Sequence, residues 1–244
     1  MKRIIIYSLG VLLCLRAGAQ AKQHDSLAIL IVDRMSDVIG ELESCSFNVF
    51  SSRDALDTQG LMTKQFNNYD VYMSGNDKML VNLYGPHGHR QLWYHAGKLA
   101  YYSQDEHNYG LLDVPDHTID MIDSVNKWYQ VEFPAADFFY PTFTDDLLAL
   151  ADQLRFLGIV TIDGKEYFHI LASNKDMRIQ FWITHDAWHL PARYAITYTS
   201  QPGQPQYEAT FTNWQINPQL PVSMFDFQPP PGSAKIRIMA THER

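Results

Sequence analysis

The sequence predicts an α+β fold: an antiparallel sheet with one apolar face, covered by an N-terminal helix and a central helical insert. Three observations predict it. Residues 177–183, 192–198 and 207–214 read as successive strands, with Pro191 leading into the second and Gln201-Pro202-Gly203-Gln204-Pro205 setting the third apart. Residues 27–42 repeat apolar side chains at spacings of three and four, the mark of an amphipathic helix. The strand runs are joined by short polar turns rather than long crossovers, which makes neighbouring strands antiparallel.

The chain begins with a secretory pattern. Lys2 and Arg3 precede an apolar run from Ile4 to Leu15, well short of the roughly 20 residues a membrane span needs. Ala17-Gly18-Ala19 supplies a small-x-small cleavage site, with Ala19-Gln20-Ala21 as a second option. The expectation is a signal peptide over residues 1–19, cleaved to leave a single soluble domain over residues 20–244. Cys14 invites lipidation, but Leu13 stands where a lipobox wants a small residue.

Asp25 or Ser26 can cap the first helix. Its apolar stripe is Leu27, Leu30, Ile31, Met35, Val38, Ile39 and Leu42, against Asp33, Arg34, Asp37 and Glu41 on the other face. A membrane-surface helix usually has a Lys/Arg-rich polar face, and this one is mostly acidic. From Ser46 the period falls to two, with Phe47 and Val49 alternating. Residues 63–73 form a strand with Tyr69, Val71 and Met73 on one side, and 78–84 follow after the turn at Ser74-Gly75-Asn76-Asp77. Residues 90–95 and 98–103 make a hairpin around Ala96-Gly97, and 109–113 are the next strand.

The middle changes character. Ile119, Ile122, Val125 and Trp128 or Tyr129 recur at helical spacing over 118–129. Residues 133–143, dense in Phe, Tyr and Pro, read as an irregular packed segment, and 144–151 as a further helix. Strands resume at 154–162 and 165–172, joined by Asp163-Gly164, a pair suited to a type I′ turn. Ile179, Phe181 and Ile183 share one strand face. Tyr194, Ile196 and Tyr198 share the next, continued by Ala209 and Phe211. Residues 235–238, after the stiff Pro229-Pro230-Pro231-Gly232, form a last edge strand. A sheet with one apolar side needs a cover, and the N-terminal and central helices must supply it.

Composition narrows the function. The formal charge is −8, and loss of Lys2, Arg3 and Arg16 with the signal takes it to −11, 16 basic against 27 acidic side chains. Such a balance repels nucleic acid and anionic lipid headgroups. With Cys14 gone, Cys45 stands alone, so no internal disulfide can form. It reads as a small buried hydrophobe at a helix end, and Glu41 and Glu43 are the wrong neighbours for a reactive thiolate.

No constellation announces catalysis. His87-Gly88-His89, and His185 with His189 near Asp186, have some metal-ligand character, but turn-like surroundings favour surface or hydrogen-bonded histidines. The carboxylate pairs Asp145/Asp146, Asp113/Asp116 and Asp120/Asp123 are explained by helix N-termini and solvated faces, since glycosidase chemistry needs two carboxylates held across a sugar cleft. There is no nucleophile elbow, phosphate loop or dinucleotide fingerprint. No metal and no cofactor is expected.

Short stretches along the chain carry a resemblance. They are Asp33-Arg34-Met35-Ser36-Asp37, Trp93-Tyr94-His95-Ala96-Gly97-Lys98, Val160 to Gly164 and Gln180-Phe181-Trp182-Ile183. Further along come Leu190-Pro191-Ala192-Arg193, Ile196-Thr197-Tyr198, Tyr207 to Trp214 and Phe225 to Pro230. Together they resemble an exported bacterial family catalogued as domain of unknown function 2092. The order of elements is similar to the lipoprotein-carrier fold (LolA/LppX-like), a strongly curved antiparallel half-barrel sheet wrapped over helices. What the resemblance implies is that fold and a periplasmic address; it brings no catalytic or binding residues with it.

The apolar sheet face is the remaining place for a ligand. If helices and sheet fail to close fully, a slot lined by Phe168, Ile170, Phe181, Ile183, Ile196, Tyr198 and Phe211 remains. Burial of an acyl chain contributes ~0.8 kcal/mol per CH₂, so twelve such groups could supply nearly ~10 kcal/mol before ordering costs. The expectation is a non-enzymatic binder or carrier of a lipid, lipoprotein or other apolar ligand. An envelope protein-interaction or sensor module is the alternative, and an envelope hydrolase using His and Asp the remote one.

Overall fold

The computed structural model describes residues 22–131, 133 and 135–241. The expected signal peptide, its cleavage site and Cys14 lie outside the described residues. The chain runs through β1 (Gln23–His24), α1 (Ser26–Gly40), β2 (Ser44–Leu56), β3 (Met62–Ser74), β4 (Lys78–Gly85), β5 (Gly88–His95), β6 (Lys98–Ser103) and β7 (Asn108–Asp113). The insert follows as α2 (Thr118–Tyr129), a 3-10 turn (Ala136–Phe139) and α3 (Phe143–Leu150). Then come β8 (Gln153–Ile162), β9 (Lys165–Ser173), β10 (Arg178–Thr184), β11 (Pro191–Thr197), β12 (Gln206–Ile216), a 3-10 turn (Val222–Phe225) and β13 (Ala234–Lys235).

These strands form one sheet in the order β1-β8-β9-β10-β11-β12-β2-β3-β4-β5-β6-β7-β13. Every pairing is antiparallel except the two-residue pairs at the margins, β1 with β8 and β13 with β7. The sheet is open rather than closed into a barrel. Strands β7 and β8 are consecutive in sequence yet lie at opposite margins, flanked only by β13 and β1. The connection between them therefore crosses the whole apolar face, and that connection is the helical insert.

Register keeps the faces coherent. Ile170, Phe181, Tyr194, Ala209 and Ser51 face one another across five strands. The next row is Ala172, Ile179, Ile196, Tyr207, Arg53 and Gln65. One break in the alternation is useful. A bulge in β12 between Thr212 and Gln215, with Asn213 at φ 56°, puts Trp214 on the same side as Phe211. The indole then stacks on Phe47, ring centroids 4.3 Å apart, and its N–H donates to the carbonyl of Pro191 at 3.1 Å.

The tight turns obey their chemistry. Asp163 and Gly164 have φ of 50° and 75°, and Ala96 and Gly97 have 44° and 78°. Paired positive φ values are those of the primed turns whose twist suits a hairpin.

Asp25 caps α1, its Oδ1 accepting from the amide of Leu27 at 2.9 Å. The buried stripe is Ala28, Ile31, Val32, Met35, Val38 and Ile39. This shifts the start of the expected stripe. Leu27 and Leu30 lie outside it, 44% and 64% exposed, because the helix meets α3, β8 and the Ala136–Phe139 turn along the line through Ala28 and Val32. A second correction concerns Cys45. It lies in β2, buried, and not at a helix end. Strand β2 is longer than its sequence suggests, thirteen residues paired along its length with β3.

The helical insert is anchored by aromatic rings. Phe138 lies among Phe143, Phe181, Tyr194 and Phe211, with centroids 5.1–6.2 Å apart and mostly edge-to-face. Phe139 stacks on Phe47 at 6.0 Å. On the opposite face, the C-terminal segment packs Phe227 against Trp93, Tyr102 and Tyr109 and buries Phe225. Asp226 accepts from His95 at 2.7 Å, and β13 then closes the β7 margin.

Phe138 is the side chain that pins the insert to the sheet. Replacing it, Phe138→Ala, is expected to cost about 3 kcal/mol or more, the range for truncating a buried aromatic. Urea titration followed by far-ultraviolet circular dichroism measures it. A cost below about 1 kcal/mol would show that the insert is held elsewhere.

Candidate functional site

The insert does not fill the apolar face. Among the described residues, two adjoining cavities of several hundred Å³ remain, one on each side of the Asp137–Tyr140 stretch. The first, about 500 Å³, lies between α3 and strands β10 and β11. Its walls are Phe143, Leu147 and Leu150 from the insert and Met177, Ile179 and Phe181 from the sheet, with Phe138 between them. The second, about 420 Å³, lies between α2 and strands β2, β3 and β12. It is far more polar, bounded by Arg53, Asn67, Tyr69, Asp123, Asn126 and Tyr207. Asp137, Tyr140, Tyr194, Ile196 and Tyr198 border both. Each volume falls in the range of small-molecule sites.

The slot expected from the sequence is divided by the structure. Phe181, Ile196 and Tyr198 line the first cavity. Ile170, Ile183 and Phe211 lie on the same side, buried in the packed core like Phe181, but do not border that cavity. Phe168 stands apart, near the far end of β10, with His185 and His189 at centroid distances of 4.5 and 5.4 Å. None of the wall residues from the insert was among the seven expected slot residues: Leu147 and Leu150 read as a buried helix face, but a sequence does not say over which strands that face will lie, and Leu150 stays 44% exposed. Arg53, Asn67 and Tyr207 were findable. The alternation that places Tyr69 and Phe211 on the inner face also places them there, once the register of β2 is known.

The common wall is electrostatically tuned. Tyr140 donates its hydroxyl to Asp123 Oδ1 at 2.5 Å. Burial first, and then that carboxylate, hold the Tyr140 phenol above its usual range. Burial does the same to Tyr194, reinforced by its neighbour Tyr207. Asp137 loses hydration among the aromatic walls, and its carboxyl is raised above the ordinary range.

The histidines and carboxylates singled out in the sequence have other work. His185 Nδ1 lies 3.0 Å from Glu166. Asp186 builds a turn, accepting from Thr184 Oγ1 and the amides of Trp188 and His189. His87 is on an exposed turn, and His89 stacks on Tyr84 at 4.1 Å. Asp145 and Asp146 occupy the first turn of α3, Asp120 that of α2, and Asp113 pairs with Lys98. Among the described residues, no group of three or more His, Cys, Asp or Glu could hold a metal ion. No described helix is long and apolar enough to cross a membrane.

The class of fold is an α+β one, an open, mostly antiparallel sheet bridged by a helical insert. Within it, the family model described as predicted periplasmic protein (DUF2092) matches residues 28–239, and the chain belongs to that family. The chain is similar to several solved structures. An uncharacterized conserved protein from Thermus thermophilus is 11% identical over 86% of this chain and 99% of its own, with a TM-score of 0.50. The lipoprotein LppX of Mycobacterium tuberculosis is 14% identical over 81% and 99%, TM-score 0.49. A LolA superfamily protein from Nitrosomonas europaea is 12% identical over 82% and 97%, TM-score 0.39. At such identities the likeness concerns the fold alone. None of the curated proteins compared with the chain matches it.

Burial pushes the Cys45 thiol up to about 12. A raised value means almost no thiolate at pH 8, so the native protein is expected to resist Ellman's reagent there and to react fully in guanidinium. Rapid labelling of the folded protein would contradict the buried placement of β2.

Proposed function

We propose that this protein is an exported, non-enzymatic binder or carrier of a lipid, lipoprotein or other apolar ligand, lodged between the insert and the sheet. On this reading residues 1–19 are a cleaved signal peptide and residues 20–244 a single periplasmic domain. One observation carries the proposal: an apolar cleft of about 500 Å³ lies beside the aromatic cluster that pins the insert, with its walls drawn from both layers. Phe181, Ile196 and Tyr198 are the ligand contacts among the seven slot residues. Ile170, Ile183, Phe211 and Phe168 support the walls or lie beyond them.

The physical logic is simple. Water in a cleft walled by Phe, Leu, Ile and Met has few hydrogen-bond partners, and an alkyl chain replaces it favourably. Each methylene buried adds ~0.8 kcal/mol. Because α3 supplies one wall, a small lift of the insert could admit a bulkier ligand without breaking strand pairing.

Native mass spectrometry of protein purified without detergent, together with displacement of a fluorescent fatty acid, tests this. Co-purified or added alkyl ligands are expected at one per chain. Leu150 is 44% exposed at the rim, so Leu150→Asp should leave the fold intact. Placing a charge there is expected to weaken binding by about tenfold or more. Absence of any alkyl ligand, or unchanged binding by the variant with its melting temperature preserved, would count against the reading.

A further inference from the structure

The second cavity differs from the first in chemistry, and the register explains how. Along one cross-strand row the inner-facing side chains run Ile179, Ile196, Tyr207, Arg53, Gln65. The adjacent row runs Phe181, Tyr194, Ala209, Ser51, Asn67. Both pass from apolar over β10 to polar over β2 and β3. The insert follows the gradient only in part, with Leu147 and Leu150 beside Asp146 over the first cavity and Asp123 and Asn126 beside Ile122 and Phe133 over the second. An elongated molecule lying across the strands would thus meet grease at one end and hydrogen-bonding groups at the other.

The charges of the polar chamber do not suit an ionic head group. Among the described residues of its lining, Arg53 is the one cation, already donating from Nε to Gln65 at 3.1 Å. The described carboxylates there are Asp123 and Asp137, the former accepting from Tyr140. A phosphate would meet a surplus of negative charge, and an ammonium group would meet a guanidinium. The other polar groups are tyrosine hydroxyls, Tyr140 donating to Asp123, and the amides of Asn67 and Asn126, the latter donating to the Val131 carbonyl at 3.4 Å. Those groups both donate and accept, as sugar hydroxyls do. The aromatic walls also offer faces on which the apolar side of a sugar ring can stack.

We propose that this chamber receives an uncharged polyhydroxyl head group, so that the ligand is a glycolipid-like amphiphile with its chain over β10–β11 and its head over β12, β2 and β3. The assignment rests on the apolar cleft being a ligand site. It adds the second cavity as the site that sets specificity. Within it, Tyr207 and Asn67 hydrogen-bond the head, while Tyr194 and Tyr198 form the wall between head and chain.

Three amphiphiles with the same twelve-carbon chain test it: dodecyl maltoside, dodecyl phosphate and dodecyltrimethylammonium, each titrated below its micelle concentration by calorimetry. The maltoside is expected to bind at least about tenfold more tightly than either ion. Tyr207→Phe and Asn67→Ala, each removing one polar partner, are expected to weaken the maltoside by about three- to tenfold. The same variants should leave any binding of the two ions unchanged. Equal or tighter binding of either ion overturns the head-group assignment while leaving the cleft reading intact. So does maltoside binding that neither variant alters. If no member of the series binds, the cleft reading itself falls and the assignment falls with it.

Discussion

The structure depends on a constraint of connectivity. Strands β7 and β8 follow one another in sequence but occupy opposite margins of the sheet, so the chain between them must cross the apolar face. That crossing does the work a second sheet does in a sandwich: it removes the inner face from water. Phe138 and Phe139 pack the crossing onto β2, β10, β11 and β12, and α1 flanks it along β8. The short parallel pairs β1–β8 and β13–β7 cover part of each margin, where unpaired backbone would otherwise invite association with another chain.

A crossing built from two short helices and a 3-10 turn cannot match a broad sheet side chain for side chain. Close packing is achieved around Phe138, where five rings meet, and is lost on either side of it. The two cavities are the geometric remainder. Their contents differ because residues along β2 and β3 turn polar toward Arg53 and Asn67, while those along β10 stay apolar. One layer mismatch therefore produces both an apolar trough and a polar chamber, separated by Tyr194, Tyr198 and Tyr140.

Much of the architecture was legible in the sequence for physical reasons. The 3.6-residue period located α1 and α2, and the Asp163-Gly164 pair fixed a hairpin. The alternation of Ile179, Phe181 and Ile183 identified the inner face of β10. The misses are equally physical. Leu27 and Leu30 satisfy a helical stripe but sit just outside the line that meets α3 and β8. Cys45 follows a helix closely in sequence, and only pairing with Met73 reveals it as a strand residue. For the candidate site the limit was the line of the insert. Ile170, Ile183 and Phe211 share the inner side with Phe181 and are buried as it is, but of the four only Phe181 borders the first cavity, and the alternation of a strand cannot say where a helix will lie. The polar chamber was missed because its residues come from β2, β3, β12 and α2, elements distant in sequence and joined only by register.

The account stands on a ligand lying between insert and sheet, chain toward β10 and head toward β2. A crystal structure with an alkyl maltoside brominated at the chain terminus tests this most directly, since anomalous scattering locates the bromine without ambiguity. The account predicts the bromine beside Leu147, Ile179 and Phe181, with the sugar within hydrogen-bonding reach of Tyr207 and Asn67. Bromine bound on the outer face, or sugar and chain in reversed positions, would contradict it.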